Sequence, residues 1–415
     1  MSEWTEDLLG NYVAIQTGPF GSLLHASDYV KSGIPSIMPV NIGAARNIIH
    51  DKLAHISEHD ANRLEKYLVN THDIIYSRRG DVEKCALITE NENGWLCGTG
   101  CLRLRVLNKK LDPIFCSYYL SIDSVKSWVS ANAVGTTMPN LNSSILNRLP
   151  ILVPSLPEQK AITSVLSSLD DKIDLLHRQN KTLESMAETL FRQWFIEETH
   201  ADWEITTLDC HITVAKGLSY KGAGLTTSDN GIPLFSLNSV LEGGGYKSAG
   251  IKYYNGDFKE RHIIKPGDII VANTEQGHEY RLIGYPAIIP NTESELSIYT
   301  HHLFKISIND DSYLTNAFMY YLLCSKDMHE QVVAATNGST VNQLSADGLQ
   351  RPEFKLPPEC MVKEFTTQID FFWKKISINN SQIKNIESLR DTLLPKLMSG
   401  EVRVQYAEEA IASVA

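Results

Sequence analysis

The sequence predicts an α+β protein: two similar mixed α/β domains separated by two long helices that form an antiparallel coiled coil, with approximate two-fold symmetry. Three observations carry that expectation. The phrase GTTMPNL at Gly135–Leu141 returns as GSTVNQL at Gly338–Leu344. A proline-bounded segment with a heptad pattern follows each copy, and repeats of this kind govern how a whole chain is read. Ahead of each copy, the same landmarks recur in the same order. GIPSIMPVNI at Gly33 answers GIPLFSLNSV at Gly231, HDIIYSRRG at His72 answers GDIIVANTEQG at Gly267, and FCSYYLSI at Phe115 answers FMYYLLCS at Phe318.

The landmarks divide the 415 residues into a first domain at 1–153, a first long helix at 154–198, a second domain at 199–355, a second long helix at 356–399 and a tail at 400–415. A repeat of about half the chain is too long for a solenoid unit. Within each domain, short apolar runs such as HDIIYS, LRLRV, GDIIVAN and HHLFKIS are punctuated by Gly, Pro and Asn. These read as strands and turns. One shorter helix is expected over Pro113–Val129, with a counterpart over Tyr313–Val333.

The long helices are the clearest signal. Positions 162, 166, 169, 173, 176, 180, 183, 187, 190 and 194 read Ile, Leu, Leu, Ile, Leu, Asn, Leu, Ala, Leu and Trp. At a constant offset, the second segment reads Phe365, Ile369, Phe372, Ile376, Asn379, Ile383, Ile386, Arg390, Leu393 and Leu397. Each is a seam of about four and a half heptads. Pro154 and Pro157 mark the approach to one helix, and Pro357 and Pro358 the approach to the other, since residues before proline favour extended backbone.

The polar seam positions choose the direction of packing. With Ile162 opposite Leu397 and Leu166 opposite Leu393, the same antiparallel register places Asn180 opposite Asn379. A parallel arrangement would set Asn180 against Ile383 and Asn379 against Leu176, leaving two buried amides unanswered at about 1–3 kcal/mol each. Antiparallel packing is therefore expected, with Asn180 and Asn379 fixing its register. Arg390, opposite Leu169, should snorkel out of the seam, and Pro395 should kink or loosen the last turn. About 33 residues at ~1.5 Å each make a strut of roughly 50 Å, expected to hold the two domains at its two ends.

Flanking the seam are Val165, Leu175, Met186, Phe191 and Phe195 on the first helix, and Phe371, Trp373, Ile378, Leu389 and Leu394 on the second. A solvated two-stranded coil carries charge there. These side chains are covered either by the domains or by helices of another protein.

Composition narrows the class. The chain is 43% hydrophobic and 21% charged, with a formal net charge of −11. The opening MSEWTEDLLGNY lacks the basic and apolar regions of a secretory signal, and no apolar run is long enough to span a bilayer, so a cytoplasmic protein without a membrane is expected. Seven cysteines occur with no CxxC spacing. Cys97 and Cys101, read as one strand, would lie ~13 Å apart, too far for one zinc ion. No metal site is expected, and buried free thiols are. A chain this acidic would need local basic patches or a basic partner to hold DNA.

The residues around the repeated phrases resemble a known family. AVGTTMPNLNSSILNRLPILVPSLPEQKAI at Ala133–Ile162 resembles the junction phrase of specificity subunits of type I restriction–modification systems. LFRQWF at Leu190 and TLLPKLMSGEVRV at Thr392 resemble that family's helix tails. GPFGSLLHASDY near the start and DIIYSRRGDVEKCALI at Asp73 fit its recognition domains. In the second half VNQL departs from the MPNL form, and PPECMVKEF lacks the usual Glu-Gln pair.

The resemblance implies a non-catalytic subunit with two target recognition domains, each reading one half of an asymmetric bipartite site on double-stranded DNA. It implies two methyltransferase subunits docked on the helices, where Leu175, Met186, Phe191, Phe195, Phe371, Trp373, Leu389 and Leu394 are the candidate contacts, and restriction subunits in the full complex. S-adenosylmethionine, ATP and Mg2+ would then belong to those partners, with no cofactor in this chain.

On that reading, DNA contacts are sought among basic and amide side chains, because Arg reads guanine and Asn or Gln reads adenine in the major groove. The candidates are Arg78, Arg79, Lys84, Arg103 and Arg105 in the first domain, and Asn273, Gln276, His278 and Arg281 in the second. Thr137 and Asn140 in one repeated phrase, and Thr340 and Gln343 in the other, can bond backbone or reach DNA.

Two other classes compete: a scaffold whose coil joins two proteins, and a free-standing DNA-binding regulator, which the −11 charge disfavours. An enzyme must show chemistry, and neither a Walker A loop nor a GxGxxG fingerprint is present. Asp347, Glu353 and Lys355 imitate a nuclease metal motif, but Pro352 interrupts its context.

Overall fold

A computed structural model describes residues 4–404 apart from 136–138, 278, 292, 293, 295, 339 and 340. The chain forms two compact units, Met1–Leu176 with Asn380–Ala415, and His177–Asn379. The division falls within both long helices.

In the first unit, an antiparallel sheet runs in the order Val13–Thr17, Cys101–Val106, Ile74–Ser77, Cys85–Leu87. A second sheet runs Tyr29–Val30, Ala54–Ile56, Ile34–Ile37, Leu96–Cys97, its last pair parallel. The HDIIYS run is apolar on both faces because its strand lies between two cores. Ile74 and Tyr76 enter one cluster and Ile75 another, as alternate side chains of a strand must. Thr5–Leu8 pairs with Pro150–Val153 and ties the unit's first strand to the entrance of the long helix.

The second unit repeats this plan. Its four-stranded sheet runs Ile212–Lys216, Leu303–Ile308, Ile269–Ala272, Pro286–Ile288, and its other sheet carries one added strand, Ile263–Ile264. Ile269 and Val271 face one core, Ile270 and Ala272 another. The duplication read from the sequence is a duplication of fold.

Each expected short helix is two helices. Pro113–Tyr119 gives way to Asp123–Asn132, and Asn316–Cys324 to Lys326–Ala334. A serine hydroxyl marks each break: Ser121 donates to Tyr118 O at 2.7 Å and Ser325 to Leu322 O at 2.6 Å. Such hydroxyls compete for the carbonyls that would continue the helix, a feature that apolar periodicity does not report. Cys97 and Cys101 also depart from expectation, ending one strand and starting the next. Both are buried and free.

The long helices span Leu156–Arg192, followed by a π-helical turn at Gln193–Glu197, and Glu359–Met398. Pro157 sits in the first turn of the first helix, where its missing N–H has no intrahelical partner to lose. The second helix continues through Pro395 to Met398. Packing is antiparallel within each unit. In the first, Ile162 and Leu166 share a core with Leu393 and Leu397, while Ile173 and Leu176 meet Ile383. In the second, Asn379 Nδ2 donates to Asn180 Oδ1 at 2.8 Å, and Phe191 meets Phe365 at 5.7 Å. Among the described residues Asn379 Oδ1 has no partner, so the amides exchange one bond rather than two.

Arg390 does not snorkel. Its side chain is 19% exposed and bonds Asp170 of the facing helix and Asp391 of its own.

Gln159 explains the Glu-Gln pair of the first junction. It is fully buried, and its Nε2 donates to Lys110 O and Pro154 O at 2.8 Å, while Oε1 accepts from Asp112 N at 2.7 Å. In the second unit the corresponding position is Val362, buried in the apolar core. The carbonyl of Pro357 is met there by the Tyr313 hydroxyl at 2.7 Å. The missing Gln-type clamp is replaced by a tyrosine from the other side.

Candidate nucleic-acid interface

In each unit the repeated phrase closes a loop and docks it against the end of the central strand. In the first, Val134 and Asn140 form an antiparallel bridge, and Asn140 bridges Arg79. In the second, Asn337 and Gln343 bridge, and Val341–Gln343 pairs with Thr274–Gln276. Leu141 N donates to Arg78 O at 2.8 Å, as Leu344 N does to Asn273 O at 2.9 Å. The two sites share one frame. Gly135 and Gly338 have φ of 106° and 135°, a region that only glycine adopts without strain. Thr137, His278 and Thr340 lie outside the described residues.

The frame carries different side chains. In the first unit Arg78 is half-buried and Arg79 exposed. Arg78 Nε donates to Asn140 Oδ1 at 3.3 Å, and its guanidinium carbon lies 5.5 Å from the centre of the Phe20 ring. Lys84 flanks them, paired with Asp81 at 3.4 Å.

In the second unit, the position of Arg78 is Asn273, which is buried and donates from Nδ2 to His301 O at 3.0 Å. Asn273 holds the frame and is not available to a base edge, contrary to expectation. Gln276 and Gln343 are exposed beside it. The Glu275 carboxylate accepts from the backbone N–H groups of Arg281, Leu282 and Ile283 at 2.9–3.0 Å and so shapes the loop. Arg281 is held by Glu279 at 3.1 Å and Glu242 at 3.7 Å, at the edge of a cavity of about 600 Å3 that Tyr285 and His329 also line.

Two further candidates are corrected. Arg103 is 9% exposed, and its Nη1 donates to Lys66 O and Leu68 O at 2.9 and 2.7 Å. Arg105 bonds Asp73 through Nε and Nη2 at 2.8 and 2.6 Å. Both guanidiniums are spent inside the domain, because the segment at 66–73 crosses their strand. Among the residues that imitate a nuclease motif, Asp347 pairs with Arg351, and Lys355 donates to His200 O at 3.3 Å.

The helix flanks divide. Phe191 and Phe195 are buried in an aromatic cluster with Phe318 and Phe365. Trp373 packs on Tyr320 and Tyr321, while Leu389 and Leu394 pack on the first unit's core. The domains bury the first two and partly cover the other three, as heptad position alone does not foretell. Leu175, Met186 and Phe371 remain exposed at 40, 46 and 66%. Met186 lines a shallow groove of about 630 Å3 with Arg178, Lys181 and Leu190.

A family model described as the type I restriction modification DNA specificity domain matches residues 31–185. The MjaIX specificity subunit of Methanocaldococcus jannaschii, a type I restriction enzyme component, is 26% identical over 309 residues, 69% of each chain. The MjaVIII specificity subunit of the same organism is 22% identical over 82% of this chain and 81% of its own. The type I S subunit of M. genitalium has the same fold, with a TM-score of 0.57 at 16% identity over 95% of this chain and 96% of that one. The chain is thus similar in sequence to type I restriction–modification specificity subunits and shares the fold of one of them.

The paired loops are the feature that the two units share and fill differently. Phe20, Arg46, Gln159, Asp170 and Glu275 are absent from the residues selected by sequence. The Glu-Gln pair that contains Gln159 and the Phe between Pro19 and Gly21 are the legible signals among them.

Proposed function

We propose that this chain supplies DNA sequence specificity to a type I restriction–modification complex. Recognition domains at 1–153 and 199–355 each read one half of an asymmetric bipartite site. The helices at 154–198 and 356–399 set the spacer and carry two methyltransferase subunits, and restriction subunits complete the assembly. The observation that carries the reading is the shared loop frame with unlike side chains: Arg78, Arg79 and Asn140 in one domain stand where Asn273, Thr274 and Gln343 stand in the other. One frame that presents Arg78 and Arg79 in one domain and Gln276 and Gln343 in the other suits two different half-sites.

The exposed Leu175, Met186 and Phe371 are the helix residues offered to partners. Isolated exposed apolar groups are ordinary, but on a paired coil they stand where charge is the norm. Chemistry is assigned to the partners, which would bring S-adenosylmethionine, ATP and Mg2+. With a formal charge of −11, the chain relies on partner surface for much of its attraction to phosphate.

The test is a domain exchange. Residues 1–153 are replaced by those of another specificity subunit, the complex is assembled, and methylated adenines are mapped across a genome. One half-site should change while the other and the spacer stay. Scrambling of both half-sites would overturn the modular reading.

A further inference from the structure

We propose that Phe20 and Asn140 hold Arg78 as a preformed fork that reads a guanine in the half-site of the first domain, making Phe20 a positioning residue for specificity. The assignment rests on the DNA-reading function proposed above and names which base one side chain selects, and how.

Arg78 is fixed at both ends. Its backbone N–H donates to Gly100 O at 2.8 Å, and its carbonyl accepts from Leu141 N at 2.8 Å. The main chain is thus tied to the turn before one strand and to the end of the repeated phrase. At the other end, Nε donates to Asn140 Oδ1 at 3.3 Å and the guanidinium lies 5.5 Å from the Phe20 ring centre, within reach of a cation–π attraction. Among the described residues, neither terminal nitrogen of Arg78 has a hydrogen-bond partner. Those two nitrogens are the pair that bonds guanine O6 and N7 side by side.

Phe20 is itself held in place. Its ring is 55% exposed and carries the Arg78 guanidinium over its face. Thr99 donates its hydroxyl to Pro19 O at 2.8 Å, Gly18 N donates to Cys101 O at 3.0 Å, and Leu23 N donates to Phe20 O at 3.3 Å. Gly18 must be glycine, since a Cβ there would come within 2.2 Å of Gly98 O. The loop that carries the ring and the turn that holds the Arg78 backbone are therefore one tied assembly. Its effect is to freeze the arginine before DNA arrives, so that less side-chain freedom is lost on binding.

The second domain offers the contrast. Its Asn273 is turned inward onto His301 O, so no fork exists there, and the feature predicts a selectivity belonging to one half-site alone.

The test uses the chain assembled with its methyltransferase subunits. Methylated adenines first define the wild-type half-sites. Duplex libraries randomised across the first half-site are then methylated by wild type, Phe20→Ala, Phe20→Tyr and Arg78→Lys. Phe20→Ala and Arg78→Lys should each lower the preference for guanine at one base pair by about 10-fold or more. The second half-site and the spacer should not move, and Phe20→Tyr, which keeps the ring, should restore the preference. Equal slowing of all sequences by Phe20→Ala with base preference intact would overturn the fork, as would identical behaviour of the Ala and Tyr variants. If wild type shows no bipartite preference at all, it is the function proposed above that fails.

Discussion

Arg390 of the second long helix donates from Nη1 to Asp170 Oδ1 of the first at 3.0 Å. The other oxygen of Asp170 accepts from Arg46 Nη2 at 2.5 Å and from the Tyr118 hydroxyl at 2.6 Å. Burial pushes the Tyr118 phenol up to about 12, so it remains a donor throughout the ordinary pH range. Arg46 also lies 3.4 Å over the Tyr118 ring. One carboxylate thus joins a recognition-domain loop, a domain helix and both long helices within the first unit.

Replacing Asp170 with Ala leaves the Arg46 guanidinium, only 14% exposed, without its anion, and leaves Arg390, 19% exposed, with Asp391 alone. The expected loss is about 2–4 kcal/mol for the first unit, since removing one partner of a mostly buried pair strands the other. A drop in the urea midpoint of a probe in residues 4–153 would show it. An unchanged midpoint would mean the hub contributes nothing to stability.

Asn180 and Asn379 set a double-mutant cycle. Either Asn→Leu alone should destabilise the helix pair by about 1–3 kcal/mol, because the remaining amide stays buried at that site. The Asn180→Leu/Asn379→Leu double variant should recover much of that loss while weakening the choice of register. Strict additivity of the two single effects would refute coupling between them.

Inserting four residues midway along the helices should lengthen the spacer requirement and leave both half-sites as they were. Four residues shift the apolar seam by just over half a heptad, a stutter that a coil can absorb. Methylated-site mapping reads the outcome directly, and altered half-site sequences would count against a spacing role.

His211, His262, His302 and His329, all in the second unit, are each held below the usual imidazole value, chiefly by burial. The unfolded chain therefore takes up protons first as pH falls. Stability from these groups is whole above ~6.5 and is lost progressively as pH drops from there toward their folded values. Hydrogen-exchange protection around these residues, taken relative to the intrinsic exchange rate at each pH, should fall as pH drops below ~6.5. Constant or rising protection there would contradict the sign.

Arg103 and Arg78 show why sequence could find the fold and only part of the site. Arg103 follows Leu102 and Arg78 follows the run IIYS, and nothing near either in sequence separates them. One ends on Lys66 O and Leu68 O inside the domain, the other at the mouth of a loop on Asn140. Asn273 misleads in the same way, an amide of the right type turned inward onto a carbonyl. Phe191 and Phe195 flank the seam as a partner contact would, yet their own domain covers them.

By itself the sequence determined the duplication, the two helices and the antiparallel sense that brings Asn180 against Asn379. Those properties are written in periodicity, and periodicity follows from backbone geometry within a few turns or strands. Tertiary structure alone decided which arginines are free, which aromatics are covered and that Phe20 meets Arg78. Each of those depends on where a segment tens of residues away is packed, and no local pattern encodes that placement.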